Sequence, residues 1–211
     1  MYKMRYYFYK IDALQHHGSI VISEYDLENY CQAYFPVPIF KYAKSLFKND
    51  KPIKFSARDF SQESLERLFY FVSYFRKLNA EKKFRLGSYD TKTLLHSITL
   101  FPSMYLQAKG ILLYKKFSFK IAKKDFTKDL WKVMDDVSAI RSNWKNPKVL
   151  PLSGISSRIN PLLYYRLNSK AIDFFQDIKK TNSIGTRQLI ENMLILSECA
   201  WTKIKKNAKP Q

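Results

Sequence analysis

A few short stretches of this 211-residue chain hold residue types that can do chemistry. His16-His17-Gly18-Ser19 sets two imidazoles side by side in a turn, where either could serve as acid, base or ligand near neutral pH. Against that, adjacent side chains diverge and a lone pair does not complete a metal shell, so the tetrapeptide also reads as an incidental turn. Glu24-Tyr25-Asp26 comes next. On a strand, carboxylates two apart share a face and can hold magnesium. Gly87-Ser88 is followed by Asp90 without a paired acid. In Asp135-Asp136 the two carboxylates are neighbours on a helix and point apart. Asp136 lies four residues after Lys132, and Asp135 lies six before Arg141, which makes both ordinary surface partners.

Charge is the stronger signal. Lys plus Arg is 37 and Asp plus Glu is 18, a net charge of +19 at neutral pH. Lys115, Lys116, Lys120, Lys123, Lys124 and Lys128 crowd one stretch that Asp125 alone opposes. In a helix, Lys116, Lys120 and Lys124 stack one turn apart, and each such like-charge pair costs roughly 0.2–0.5 kcal/mol unless an anion relieves it. A second cluster holds Arg76, Lys77, Lys82, Lys83 and Arg85; a third holds Lys203, Lys205, Lys206 and Lys209. Nucleic acid offers the dense negative charge that such a surface neutralises with release of counterions. The candidate phosphate contacts are therefore Lys115, Lys116, Lys120, Lys123 and Lys124, with Lys82, Lys83 and Arg85 as a second patch. Phe117 beside Lys116 and Phe84 beside Arg85 could stack on unpaired bases. The competing reading is a solvated lysine-rich surface, with the aromatics, 16% of residues, mostly at core spacing.

The elements that position these residues follow from spacing. Residues 1–58 read as a small mixed segment: possible strands at Met1–Tyr9 and Ile20–Ile22, a short helix capped by Asp26, and another at Ile39–Phe47. From residue 59 to 211 the pattern is helical. Ser61 is placed to cap a helix whose apolar face is Leu65, Leu68, Phe69, Val72, Phe75 and Leu78. Asp90 is placed to cap the next, with Pro102 inside it as a kink or break and Gly110 at its end. Thr127 opens a helix whose seam is Leu130, Val133, Val137, Ile140 and Trp144. Asn160-Pro161 starts another, continued by Leu163, Leu167, Phe174, Phe175 and Ile178. The last begins near Thr186, and its basic end from Lys205 is expected to fray. The fold class is mainly α: a helical bundle, residues 59–211, with a small α+β N-terminal part, residues 1–58, packed on it.

Several chemistries are excluded. The glycines at 18, 87, 110, 154 and 185 are too far apart for a dinucleotide fingerprint or a P-loop. Two cysteines and three histidines do not supply a zinc site, and so sparse a cysteine pattern suits a reduced, cytoplasmic chain. No signal peptide is visible, and the longest uncharged run, Thr93–Ala108, is too short for a bilayer. HEPN-type ribonucleases need an Arg four to six residues before a His, and none stands so before His96.

Two stretches look familiar: Ile11-Asp12-Ala13-Leu14-Gln15-His16-His17-Gly18, running to Phe35-Pro36, and Leu112-Leu113-Tyr114-Lys115-Lys116 with Lys123-Lys124-Asp125-Phe126 and Ile140-Arg141-Ser142-Asn143-Trp144. Together, over about half the chain, they resemble the helical region that follows the catalytic domain in some uncharacterised bacterial nucleotidyltransferase-like proteins. The resemblance implies helices that flank a nucleotide site. The catalytic Gly-Ser turn and paired-acid strand of that superfamily have no counterpart here, since Ser19 to Glu24 is too short a gap, so no catalytic residue carries over.

The leading expectation is a non-catalytic protein that binds DNA or RNA through its phosphate backbone, with no cofactor, no metal and no membrane. The alternatives are a nucleotidyltransferase-like nucleotide-binding enzyme or its degenerate relative, and a basic subunit that meets an acidic protein partner.

Overall fold

The computed structural model describes residues 22–28, 30, 56, 59–113, 115–147, 167 and 170–207. Most of these are helical. The elements are α1 (Glu24–Glu28), α2 (Ser61–Ala80), α3 (Ser88–Ala108), α4 (Lys115–Ala122), a 3₁₀ turn (Lys123–Asp125), α5 (Lys128–Ser142), α6 (Ile178–Thr181) and α7 (Thr186–Asn207). A helical stretch also covers 170–175. The mainly helical fold class therefore holds. The expected strand at 1–9, the helix at 39–47, the His16-His17 turn and most of the 1–58 segment lie outside the described residues, as does the expected strand Ile20–Ile22 apart from Ile22.

The chain divides into two compact units that alternate along the sequence. The first is built from Met1–Ile20, Leu78–Thr99 and Lys132–Glu191; the second from Val21–Lys77, Leu100–Trp131 and Asn192–Gln211.

In the first unit, α3 buries Leu94, Leu95 and Ile98, α5 buries Val133, Met134 and Val137, and α7 buries Leu189 and Ile190. Ile172 and Ile178 form a further apolar group, with Tyr89 and Trp144 packed against it. Asn182 locks the loop after α5 in place: its side chain accepts from Lys145 N (2.7 Å) and donates to Lys145 O (3.2 Å). The 170–175 stretch stops short of Ile178 instead of running into it, and Asp177 caps α6 by accepting from Lys179 N and Lys180 N. Phe174 and Phe175, expected to continue one helix on to Ile178, are 83% and 70% exposed.

In the second unit the core is largely aromatic. Phe71 lies against Phe75 and Phe101. Phe126 lies against Phe101 and Tyr105 and stacks on Trp131 at 5.7 Å. Phe119 meets Trp131 edge-on. Ring pairs at these separations add roughly 0.5–1.5 kcal/mol each beyond their burial. Trp131 and Met134 are fully buried although the expected α5 seam omits both, while Leu130, Ile140 and Trp144 are half-buried. The buried face of α5 is thus turned towards positions 131 and 134. A short backbone pairing ties Ser56 to Leu27 and Tyr30.

Helix ends correct three expectations. Ser23, not Asp26, caps α1: its Oγ accepts from Asp26 N, and the Asp26 carboxylate accepts in turn from Ser23 N (2.8 Å), a capping box. At α2 the capping acceptor is Asp59, which takes both Ser61 N and Ser61 Oγ. At α3 it is Asp173, whose Oδ1 accepts from Ser88 N at 2.6 Å from 85 residues away. A Cβ on Gly87 would meet Asp173 Oδ2 at 2.6 Å, so the glycine makes room for that carboxylate. The helix also runs on through Pro102 to Ala108 instead of breaking there. It closes at Gly110 (φ +76°) with Gly110 N to Gln107 O and Ile111 N to Leu106 O, a Schellman turn. Lys82 (φ 50°) and Ser183 (φ 53°) end α2 and α6 in the same bonding pattern without a glycine.

Candidate nucleic-acid interface

The eight sequence candidates fall into two groups, one in each unit. Lys115, Lys116, Lys120, Lys123 and Lys124 belong to the second unit; Lys82, Lys83 and Arg85 belong to the first.

α4 starts shortly past the Gly110 turn. Ser118 and Ala122, one turn apart, are its buried face, and their small side chains let the helix backbone approach the core closely. Ser118 Oγ donates back to Lys115 O, so its hydroxyl is satisfied on burial. With that face inward, Lys116, Phe117, Lys120 and Ile121 are turned outward and are exposed. Lys115 is half-buried. The helix gives way to the 3₁₀ turn at Lys123, and both Lys123 and Lys124 are exposed on it. The tighter winding swings Lys124 away from the Lys116–Lys120 line, so the three do not form the straight stripe expected of one α-helix. Among the described residues no ion pair holds Lys116, Lys120 or Lys124.

The turn itself is anchored by Asp125. Its carboxylate accepts from Tyr105 Oη at 3.0 Å and from Lys109 Nζ at 2.6 Å. Burial works against the charged carboxylate, but the Lys109 and Tyr105 hydrogen bonds, with the charges of Lys109 and Lys203, hold it below the usual carboxylate range. Burial, and then the Asp125 carboxylate, push the Tyr105 phenol far above the ordinary tyrosine range. Lys203, from the last turns of α7, sits over the Phe126 ring at 5.7 Å from its centroid. Lys109 lies over the Tyr105 ring at 5.5 Å. These cation–π contacts draw two distant lysines to the turn that carries Lys123 and Lys124. Lys205 and Lys206 lie in α7, which stays helical to Asn207 instead of fraying from Lys205.

The second patch is weaker. Lys82 is the left-handed residue that ends α2. Lys83 is ion-paired to Glu81. Arg85 is exposed. Phe84, the other candidate for base stacking, is half-buried and covered by the Arg187 guanidinium at 5.4 Å, while Thr186 Oγ1 donates to its carbonyl.

Glu24 and Asp26 lie on the helix α1, not on the strand that the magnesium reading requires. Asp136 pairs with Lys132 across one helical turn, as its spacing implies. His96 is half-buried inside α3, and Cys199 carries a free thiol. Among the described residues no group of three His, Cys, Asp or Glu could hold a metal ion, and no helix is long and apolar enough to cross a membrane.

Sequence reasoning misses Lys109 and the Tyr105–Asp125 bond, and it places Lys203 in a separate C-terminal cluster without its contact to Phe126. Only the lone acid within a run of lysines hints that Asp125 has a structural role. No protein-family model, curated protein or solved structure matches this chain.

Proposed function

We propose that this protein binds nucleic acid, without catalysis, through the lysine face of its second unit. One observation supports this reading above the others: Lys203 from α7 and Lys109 from α3 both reach the 123–126 turn, where they add to Lys116, Lys120, Lys123 and Lys124. From Lys109 to Lys128 the only carboxylate is Asp125, and it is already engaged by Tyr105 and Lys109. A local field of that sign, left with so little internal compensation, suits a polyanion. The contacts are to phosphates, so sequence preference is weak. The resemblance to the helical region of nucleotidyltransferase-like proteins adds no residue to this proposal.

The test is equilibrium binding of a labelled oligonucleotide across a salt series. Affinity falls linearly on logarithmic axes as salt rises, and Gln at Lys116, Lys120 or Lys124 lowers the slope by about one for each phosphate that is no longer neutralised. Absent binding at low salt, or affinity indifferent to salt, rejects the reading.

A further inference from the structure

We propose that Tyr105 and Asp125 are positioning residues for the lysine face: neither contacts phosphate, and together they hold the 123–126 turn in the shape that takes the polyanion. The inference rests on the reading above and adds how the face is kept ready for its ligand. Asp125 is the one carboxylate between Lys109 and Lys128. On charge alone it weakens the binding of an anion, so its place in the middle of a basic face calls for another role.

The geometry supplies that role. Asp125 Oδ2 accepts from both Tyr105 Oη (3.0 Å) and Lys109 Nζ (2.6 Å). Tyr105 is 2% exposed, so the carboxylate is tied to a ring that the core holds still. The residues on either side are fixed as well. Ala122 is fully buried just before the turn. Phe126, just after it, lies against Phe101, Tyr105 and Trp131 and donates its N–H to Lys123 O at 3.3 Å. Lys123 and Lys124 are thus carried, exposed, on a segment pinned at both ends. The Lys109 ammonium offsets the Asp125 charge, so the anchor takes little from the local field. A surface ordered before binding loses less freedom on binding than one that its ligand must order.

The experiment uses the full chain and two labelled probes, an oligo-dT and a DNA duplex, across a salt series at a temperature where circular dichroism shows each variant folded. Tyr105→Phe removes one buried oxygen and no charge. The expected result is a loss of about 2- to 10-fold in affinity with the salt slope unchanged, since every ammonium remains. Asp125→Ala also binds less tightly than wild type, although it removes a negative charge. In the Asp125→Ala background Tyr105→Phe has no further effect on affinity, because it acts through that carboxylate. Gly87→Ala, destabilised in the first unit without a change of charge, binds like wild type. Tyr105→Phe binding like wild type, Asp125→Ala binding more tightly, or the same Tyr105→Phe loss with and without Asp125 overturns the inference and leaves the phosphate-binding reading standing. An equal loss in Gly87→Ala also overturns it, as an effect of general stability. Where Asp125→Ala does not fold, Tyr105→Phe and Gly87→Ala decide the question alone. Failure of wild type to bind either probe overturns both readings.

Discussion

Removing the Tyr105 hydroxyl tests whether the Asp125 turn is held as the geometry implies. Tyr105 is almost fully buried, and its hydroxyl has Asp125 as its hydrogen-bond acceptor at 3.0 Å. A hydrogen bond to a charged group contributes about 1.5–3 kcal/mol, and Asp125 is partly open to solvent, so Tyr105→Phe should cost about 1.5 kcal/mol. Asp125→Ala leaves both the buried phenol and Lys109 without that acceptor and should cost about 2–3 kcal/mol. Since the two residues share one bond, the double variant should fall short of the sum by about 1 kcal/mol or more. Thermal melts by circular dichroism read this directly, at about 2–4 °C per kcal/mol for a chain of this size. The pH dependence has a definite sign. Asp125 titrates lower in the folded chain than in the unfolded one, so its contribution is complete above the ordinary carboxylate value of about 4 and is lost as pH falls through the depressed folded value. The gap between wild type and Tyr105→Phe should therefore narrow in acid. Tyr105 titrates higher when folded, so its contribution is complete below about pH 10 and fades as pH rises further, in wild type but not in Tyr105→Phe. Losses that add within about 0.5 kcal/mol, or a gap that does not change in acid, refute the reasoning.

Two further substitution sets probe the helix ends. Gly87→Ala drives a Cβ towards Asp173 Oδ2, which must swing away from Ser88 N, so Gly87→Ala and Asp173→Ala should each cost about 1 kcal/mol in chemical denaturation and the double variant little more than either alone; additive losses count against the tertiary cap. Ser183→Gly and Lys82→Gly relieve a left-handed backbone at a Schellman position and should each stabilise by about 0.5 kcal/mol, the relief being partly offset by glycine's greater freedom when unfolded; a lowered melting temperature in both contradicts the assigned geometry.

Apolar spacing carries the long helices well, because a buried stripe is a local pattern. Thr127 reads as the opening of α5, and Trp131 N bonds Thr127 O; Thr186 reads as the opening of α7, and α7 begins there. Gly110 ends α3 as a residue able to adopt positive φ should. The failures share a different cause. Asp90 stands close to the start of α3 and is a good capping residue, yet the carboxylate that does the capping comes from Asp173, which no local window contains. Pro102 has the chemistry of a breaker, but it sits in a buried stretch of α3 where packing against neighbours outweighs one missing hydrogen bond. Phe174 and Phe175 match a helical period; the chain stops being helical at Gln176 and Asp177, and the period loses its meaning there. The site shows the same division. Lysine exposure on α4 is legible because Ser118 and Ala122 set the buried face, whereas the arrival of Lys203 beside Phe126 depends on a contact that sequence spacing does not encode.

What separates a binding surface from a soluble coat of lysines is how the opposite charges are placed. A coat built for solubility intersperses both signs. The first unit follows that rule: Lys83 has Glu81, Lys132 has Asp136, and Arg187 has Glu191, each an exposed pair that solvent and salt screen. In the second unit, Arg76 and Glu198 form the same kind of pair. Around α4 the rule is broken, since Asp125 is turned towards Tyr105 and Lys109 while Lys116, Lys120 and Lys124 face solvent with no ion pair to an acid among the described residues. Each like-charge neighbour in that set destabilises the free protein slightly, by the few tenths of a kcal/mol that an exposed helical pair costs. A penalty that small is tolerated in folding, yet its relief recurs at every ammonium a polyanion touches, and release of condensed counterions adds to it. On the proposed reading, the incentive to bind lies on the α4 face and not among the paired charges of the first unit.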